Sequence, residues 1–102
     1  MYFKELQKRI LETAKRYQNE HNLTLDENVA VTKLFEEVGE FAEAVLIHRK
    51  KSRPEKHLPF EESKKKVSEE LADIVGMVII NADHLGIDLE EAIQNKWINR
   101  NK

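Results

Sequence analysis

Cysteine is absent from this chain of 102 residues, which excludes disulfide bonds, thiolate nucleophiles and cysteine-based zinc sites. Glycine and proline are scarce, with three and two residues respectively, whereas 35% of residues are charged and 40% are hydrophobic. This composition is typical of a mostly helical soluble protein and argues against a β-sandwich or a disordered segment. The formal net charge is only −2, so no overall field attracts nucleic acid or an anionic membrane.

Long apolar runs are also missing. None reaches transmembrane length, and the first residues mix acidic and basic side chains without the apolar core of a signal peptide. We therefore expect a cytoplasmic protein with no membrane partner. The length fits one small domain covering residues 1-102, and a single core of this size buries only a moderate fraction of its surface. Self-association would add to that burial.

Apolar residues recur at steps of three and four along most of the chain, a spacing that predicts amphipathic helices. Thr24 with Glu27, and Asp88 with Glu91, have the form of capping boxes and predict where the second and the last helix begin. Gly86 is the expected C-cap of the third helix. An all-α fold of four helices follows, at about residues 3–17, 24–48, 60–85 and 89–100, with a charged loop at 49–59.

The apolar stripes predict which helix faces are buried. In the second helix the stripe passes through Val31, Val38 and Val45, so the acidic face beside it should lie at the edge of the core. The third helix is apolar on all sides over residues 74–80, which would also suit a buried strand. We favour a helix, because the segment continues a helical pattern, and we expect it to be central and to contact another subunit. The inward residues expected in the last helix are Leu89, Ile93 and Trp97.

Two acidic motifs, Glu36–Glu40 and Glu69–Asp73, are the most informative stretches of the chain. Residues three apart on a helix are neighbours, so each motif would present a pair of carboxylates on one face. Brought together, the two faces would form a pocket of four carboxylates, whose repulsion makes sense mainly around a divalent cation. The paired acids are Glu37 with Glu40 and Glu70 with Asp73.

A structural alternative uses the same acids without a metal. Lys33 and Lys66 lie on the acidic faces, so the two helices could be joined by salt bridges. The chain would then be a non-catalytic helical dimerisation module.

The donor set decides which metal would fit. Ligands that are all oxygen favour a hard cation, Mg²⁺ first and Mn²⁺ next, over zinc. A carboxylate di-iron bundle would need Glu-x-x-His, and none of the four histidines has a glutamate three residues before it. The EF-hand loop pattern is also missing from the chain.

The segments Lys33–Glu43 and Val67–Val75 together resemble the paired signature of the MazG-like, all-α nucleoside triphosphate pyrophosphohydrolases. The resemblance runs from about Ala30 to the C-terminus and includes Gly86–Ala92. It ends in a closing element formed by Lys96, Asn99 and Arg100. The resemblance implies a four-helix MazG-like subunit that assembles into a helical-bundle homo-oligomer, either a homodimer or a homotetramer.

The resemblance also implies an activity and a set of site residues. The activity is Mg²⁺-dependent hydrolysis of a nucleoside triphosphate, a dNTP or a modified dNTP, to the monophosphate and pyrophosphate in nucleotide-pool sanitation. A phosphoribosyl-ATP pyrophosphohydrolase is the alternative enzyme. Glu69 would be a nearby acid that orients ligands or water, and which carboxylate is the general base stays open. The implied catalytic residues are Glu36, Glu37, Glu40, Glu70 and Asp73. The implied metal ligands are Glu37, Glu40, Glu70 and Asp73. The implied substrate contacts are Lys33, Lys96, Asn99 and Arg100.

Overall fold

The computed structural model describes residues 1–99, and every regular element in that part of the chain is helical. The prediction of an all-α fold is confirmed, and residues 74–80 are helical rather than extended. No helix among these residues is both long and apolar enough to cross a lipid bilayer. The α-helices are α1 (Phe3–Glu20), α2 (Glu27–His48), α3 (Phe60–Leu85) and α4 (Leu89–Ile93), with a 3₁₀ turn at Pro54–Lys56 and a π-helical turn at Gln94–Ile98.

A residue in the left-handed conformation follows each of the first three helices within two residues of its end. These residues are Asn22, Lys50 and Gly86, with φ angles of 52°, 56° and 67°. After α3, the amide of Ile87 donates to the carbonyl of Ala82 at 2.9 Å, which is the hydrogen bond of a Schellman motif. Gly86 adopts this conformation without a steric penalty, whereas Lys50 has a Cβ that costs about 1–2 kcal/mol there. The predicted glycine cap of the third helix is confirmed.

Side-chain caps mark the starts of α2 and α4. Asp88 Oδ1 accepts a hydrogen bond from the amide of Glu91 at 3.1 Å, as the sequence predicts. The cap of α2 is different: Asp26 Oδ1 accepts from the amide of Val29 at 2.9 Å. The prediction that Thr24 caps this helix is wrong, because Asp26 directly precedes the first helical residue and its short side chain reaches the third amide.

The chain divides into two compact units. Unit 1 consists of Met1–Ala30 together with the chain from Val78. Within unit 1 the side chain of Asn81 donates through Nδ2 to the carbonyl of Ala30 at 3.0 Å, so a half-buried amide joins two helical segments. The buried apolar residues of unit 1 are Ala30, Ile79, Ile80 and Ala82.

Unit 2, Val31–Met77, buries mostly polar residues. Its buried side chains are Ala44, Ser63 and Glu70. By contrast, Val31 and Val38 of the predicted apolar stripe are 46% and 44% exposed. The acidic face of α2 was predicted to lie at the edge of the core, and there Glu37 is half-buried and Glu40 is exposed. On α3, by contrast, Glu70 is buried, because its carboxylate meets that of Glu37 inside unit 2.

The last helical segment is shorter than predicted. Helix α4 has five residues and continues into the π-helical turn. Leu89 is half-buried as expected, but Ile93 and Trp97 are 41% and 68% exposed, so their predicted inward packing is wrong within the chain. The π-helical turn begins after Ile93 and changes the angular step between residues, so Trp97 no longer shares a face with Leu89 and Ile93.

Candidate metal centre

Three carboxylates of unit 2 converge on one point. Helix α2 supplies Glu37, and α3 supplies Glu70 and Asp73 from successive turns. One carboxylate oxygen from each of the three lies within 4.8 Å of the others. Residues three apart on α3 lie on the same face, which is why both of its acids reach the single acid of α2.

The three acids differ in their exposure to solvent. Glu70 is only 5% exposed, Glu37 is half-buried and Asp73 is exposed. The cluster therefore has a buried end at Glu70 and an open end at Asp73. A ligand that enters from solvent would meet Asp73 first and would lose water as it approached Glu70.

Two oxygens of the cluster are not satisfied by the part of the chain that the structure describes. Oε2 of Glu37 and Oε2 of Glu70 are both buried and have no hydrogen-bond partner there. Lys66 Nζ lies 3.5 Å from the other oxygen of Glu70. A buried acceptor without a partner costs about 1–3 kcal/mol, and more when it is charged. These oxygens are available to a ligand that carries positive charge.

Burial and the neighbouring carboxylates change the pKa of Glu37. Burial raises the pKa of Glu37 to about 7, and the negative charges of Glu40, Asp73 and Glu70 add to this effect. A hydrogen bond between the carboxyl groups of Glu37 and Glu40 acts in the same direction and needs a proton on one of them. A divalent cation would offset both the cost of burying charged carboxylates and the repulsion between them. The donor set therefore fits a hard metal ion with oxygen ligands.

The other predicted acids have distinct environments. Glu40 is exposed and contacts Glu37, but it is not one of the three acids that converge. Glu36 is exposed and pairs through Oε1 with Lys33 Nζ at 3.2 Å. Glu69 is also exposed. The structure thus brings together three of the four predicted metal ligands and places the fourth beside one of them.

The predicted substrate contacts near the C-terminus lie in unit 1. Lys96 is on the π-helical turn and Asn99 is its C-cap, and both are exposed. Arg100 lies outside the described residues.

A second polar contact in unit 2 was missed at the sequence level. His48 Nδ1 lies 2.7 Å from Oγ of Ser63, and this hydroxyl donates to the carbonyl of Phe60 at 3.0 Å. Because the single hydroxyl proton goes to that carbonyl, Nδ1 of His48 is the donor in the first bond. The available signal was spacing: Ser63 lies seven residues before Glu70, and this places both on one face of α3.

Comparison with known proteins identifies the family of the chain. The family model of the MazG nucleotide pyrophosphohydrolase domain matches residues 25–102, well over half of the chain. The chain belongs to this family, which confirms the resemblance drawn from the two acidic motifs. No curated protein and no solved structure matches the chain in the same comparisons. Family membership supports nucleotide pyrophosphohydrolase activity in general, and members typically depend on a divalent metal.

Proposed function

We propose that this chain is a cytoplasmic, Mg²⁺-dependent nucleoside triphosphate pyrophosphohydrolase built as a single MazG-like domain of residues 1-102. Its substrate would be a dNTP or a modified dNTP, and its role the removal of unwanted nucleotides from the pool. The observation that carries the proposal is the convergence of three carboxylates with two unsatisfied buried oxygens. In a chain of this family, such a cluster supports a metal-dependent reaction on phosphates.

The metal would be held by the acids that converge. Glu37, Glu70 and Asp73 would be its ligands, and Glu40 would be the fourth carboxylate through its contact with Glu37. Mg²⁺ binds few protein carboxylates and keeps sites for substrate phosphates and water, which suits a cluster open at Asp73. When bound, the ion would neutralise charge that develops on the phosphates during hydrolysis.

The chain's own residues would position the reactants. The reaction adds water across the anhydride bond between the α- and β-phosphates, so that monophosphate and pyrophosphate leave. Glu36 is held by its ion pair with Lys33 at the rim of the acidic face, where it would orient water or a ligand. The five acids proposed as catalytic are Glu36, Glu37, Glu40, Glu70 and Asp73. The proposed substrate contacts are Lys33, Lys96, Asn99 and Arg100.

Exposed apolar residues in unit 2 support a homo-oligomer. Val31 and Val38 on α2, and Leu71 and Val75 on α3, are each more than two-fifths exposed. The sequence predicts burial for Val31 and Val38 and for residues 74–80, which include Val75. Burial of apolar surface is the main driving force for association. We propose a homodimer or homotetramer, to be measured by light scattering on the eluting protein.

A nucleotide panel tests the activity. Purified protein with Mg²⁺ should release pyrophosphate from at least one canonical or damaged dNTP. Glu37→Gln and Asp73→Asn should each lower the rate at least about a hundredfold while the circular dichroism spectrum stays helical. Glu43→Gln is the matched control, because Glu43 is an exposed acid of α2 that pairs with Lys56 instead. A folded wild-type protein that is inactive on the whole panel would overturn the proposal.

Measurements on the same purified protein distinguish two rival functions. Release of pyrophosphate from phosphoribosyl-ATP alone would identify the other enzyme class. A non-catalytic dimerisation module would show no activity and no rise in melting temperature with Mg²⁺. The structure favours the enzyme over the module, because Lys66 reaches only one oxygen of Glu70 and leaves the other without a partner among residues 1–99.

A further inference from the structure

Lys66 forms an ion pair with the most buried acid of the cluster. Its Nζ lies 3.5 Å from Oε1 of Glu70, one helical turn further along α3. The side chain of Glu70 is 6% exposed, whereas that of Lys66 is 56% exposed. A flexible cation at the surface therefore reaches down to a carboxylate that the protein has removed from water.

This ion pair is weak for a contact with a buried charge. A separation of 3.5 Å exceeds the roughly 2.7–2.9 Å of a strong charge-assisted hydrogen bond. On a helix, lysine placed before glutamate is also the less favourable order for an i,i+4 pair. In addition, one ammonium group cannot neutralise three carboxylates. The contact is the kind that a doubly charged ion can replace.

We infer that Lys66 is an internal counter-ion of the acidic cluster, that a divalent cation displaces its ammonium group from Glu70, and that the released group then binds a phosphate oxygen of the nucleotide. The inference rests on the proposed function, since it assumes that the cluster binds a metal. It adds a role for Lys66 in coupling metal binding to nucleotide binding, and it makes Lys66 a substrate-binding residue rather than a metal ligand.

Loss of the Lys66 charge should change metal binding and nucleotide binding in opposite directions. Lys66 competes with the metal for Glu70 and repels it from the adjacent turn, so loss of its charge should strengthen metal binding. The polyphosphate is an anion, so loss of the same charge should weaken nucleotide binding. For partly exposed charges a few ångströms apart, we expect each change to be roughly three- to tenfold. Damage to the fold would instead weaken both metal binding and nucleotide binding.

The test measures Mn²⁺ binding and nucleotide binding separately. Calorimetry or electron paramagnetic resonance gives the Kd of Mn²⁺ alone, and calorimetry gives the Kd of a non-hydrolysable nucleoside triphosphate analogue in saturating Mn²⁺. Lys66→Met keeps most of the side-chain volume and removes the charge, whereas Lys66→Arg keeps the charge. Lys65→Met is the matched control, because Lys65 is the exposed neighbour on α3 and its ammonium forms no ion pair in the described chain.

The expected result is a lower Kd for Mn²⁺ and a higher Kd for the analogue in Lys66→Met, with Lys66→Arg and Lys65→Met close to wild type. If wild type binds Mn²⁺ but Lys66→Met and Lys65→Met have equal affinities for it, this inference is wrong and the metal centre stands. If both affinities of Lys66→Met move in the same direction, the inference is also wrong. If wild type binds no Mn²⁺, both the proposed metal centre and the inference about Lys66 are wrong.

Discussion

Two buried polar residues of α3 differ in whether their side chains have hydrogen-bond partners. Ser63 and Glu70 are seven residues apart on the same face and are 1% and 5% exposed. Ser63 accepts from His48 and donates to the carbonyl of Phe60, so its hydroxyl has a partner both as acceptor and as donor. Glu70 has one long ion pair and one oxygen without a partner among residues 1–99.

The difference in hydrogen bonding between Ser63 and Glu70 indicates different roles for two residues on the same face of α3. A satisfied buried polar group stabilises the native state by fixing how two segments meet. An unsatisfied buried carboxylate destabilises it, and a protein retains such a group where a ligand completes its coordination. On this comparison, we expect the contact between His48 and Ser63 to be structural and the three acids to form the proposed metal site.

The largest expected effect is on turnover. Glu70→Gln should lower kcat at least about a hundredfold, because the amide has no charge to hold a cation at the buried end of the cluster. Ser63→Ala should leave kcat within about threefold of wild type, because its hydroxyl faces His48 and not the acids. Steady-state pyrophosphate release measures both variants. Equal losses of kcat in the two variants would remove the functional distinction between Ser63 and Glu70.

The second effect is metal-dependent stability. A ligand that binds only the native state at a hundred times its Kd adds about 2.7 kcal/mol, which corresponds to a rise in Tm of about 10 °C or more for a domain of this size. We expect Mg²⁺ or Mn²⁺ to produce such a rise in wild type and in Ser63→Ala. Scanning calorimetry should show it abolished in Glu70→Gln. A rise that persists undiminished in Glu70→Gln would place the metal elsewhere.

The third effect concerns folding alone. Ser63→Ala removes the acceptor of His48 Nδ1 and should lower the free energy of unfolding by about 1–3 kcal/mol in urea, with the Kd of Mn²⁺ unchanged. The matched control is Ser68→Ala, since Ser68 is an exposed serine of the same helix. Equal stability of the two alanine variants would mean that the buried hydrogen bonds contribute nothing.

The fourth effect is the pH dependence of the stability of the metal-free protein. The pKa of Glu37 rises from 4.5 to about 7 on folding, so the native state holds this proton more tightly than the unfolded chain. The group therefore favours folding at low pH, and its contribution is lost as pH rises through that range. Glu37→Gln should remove this dependence. The measurement is the unfolding free energy of both proteins in the presence of a metal chelator. Relative to wild type, Glu37→Gln should be more stable at pH 8 than at pH 4. A difference that does not change with pH would contradict the raised pKa of Glu37.

Much of the local structure could be predicted from the sequence. Apolar periodicity located all four helices, and Gly86 and Asp88 marked their ends correctly, because these signals depend on neighbours within one or two turns. The acidic motifs led to the correct family, since residues three apart must share a helix face in any helix that contains them. The cap at Asp26 was missed because two polar residues compete for the role and only backbone geometry decides between them.

Burial was predicted less well. The apolar stripe of α2 indicated an interior that the chain does not form there, since Val31 and Val38 remain exposed while Glu70 is buried. Periodicity identifies faces, but it cannot say which face meets which neighbour. The π-helical turn after α4 also altered the register that would have placed Trp97 inward.

By itself, the sequence determined the helices, the pairing of acids on each helix face and the family, because all three follow from local spacing along the chain. Only the tertiary structure decided that Glu37, Glu70 and Asp73 converge within 4.8 Å, that Glu40 stands beside them and that Lys66 reaches the buried member. It also decided that Ser63 is satisfied where Glu70 is not. The physical reason is that convergence and desolvation depend on how two helices meet, and the free energy of that contact is spread over residues far apart in sequence.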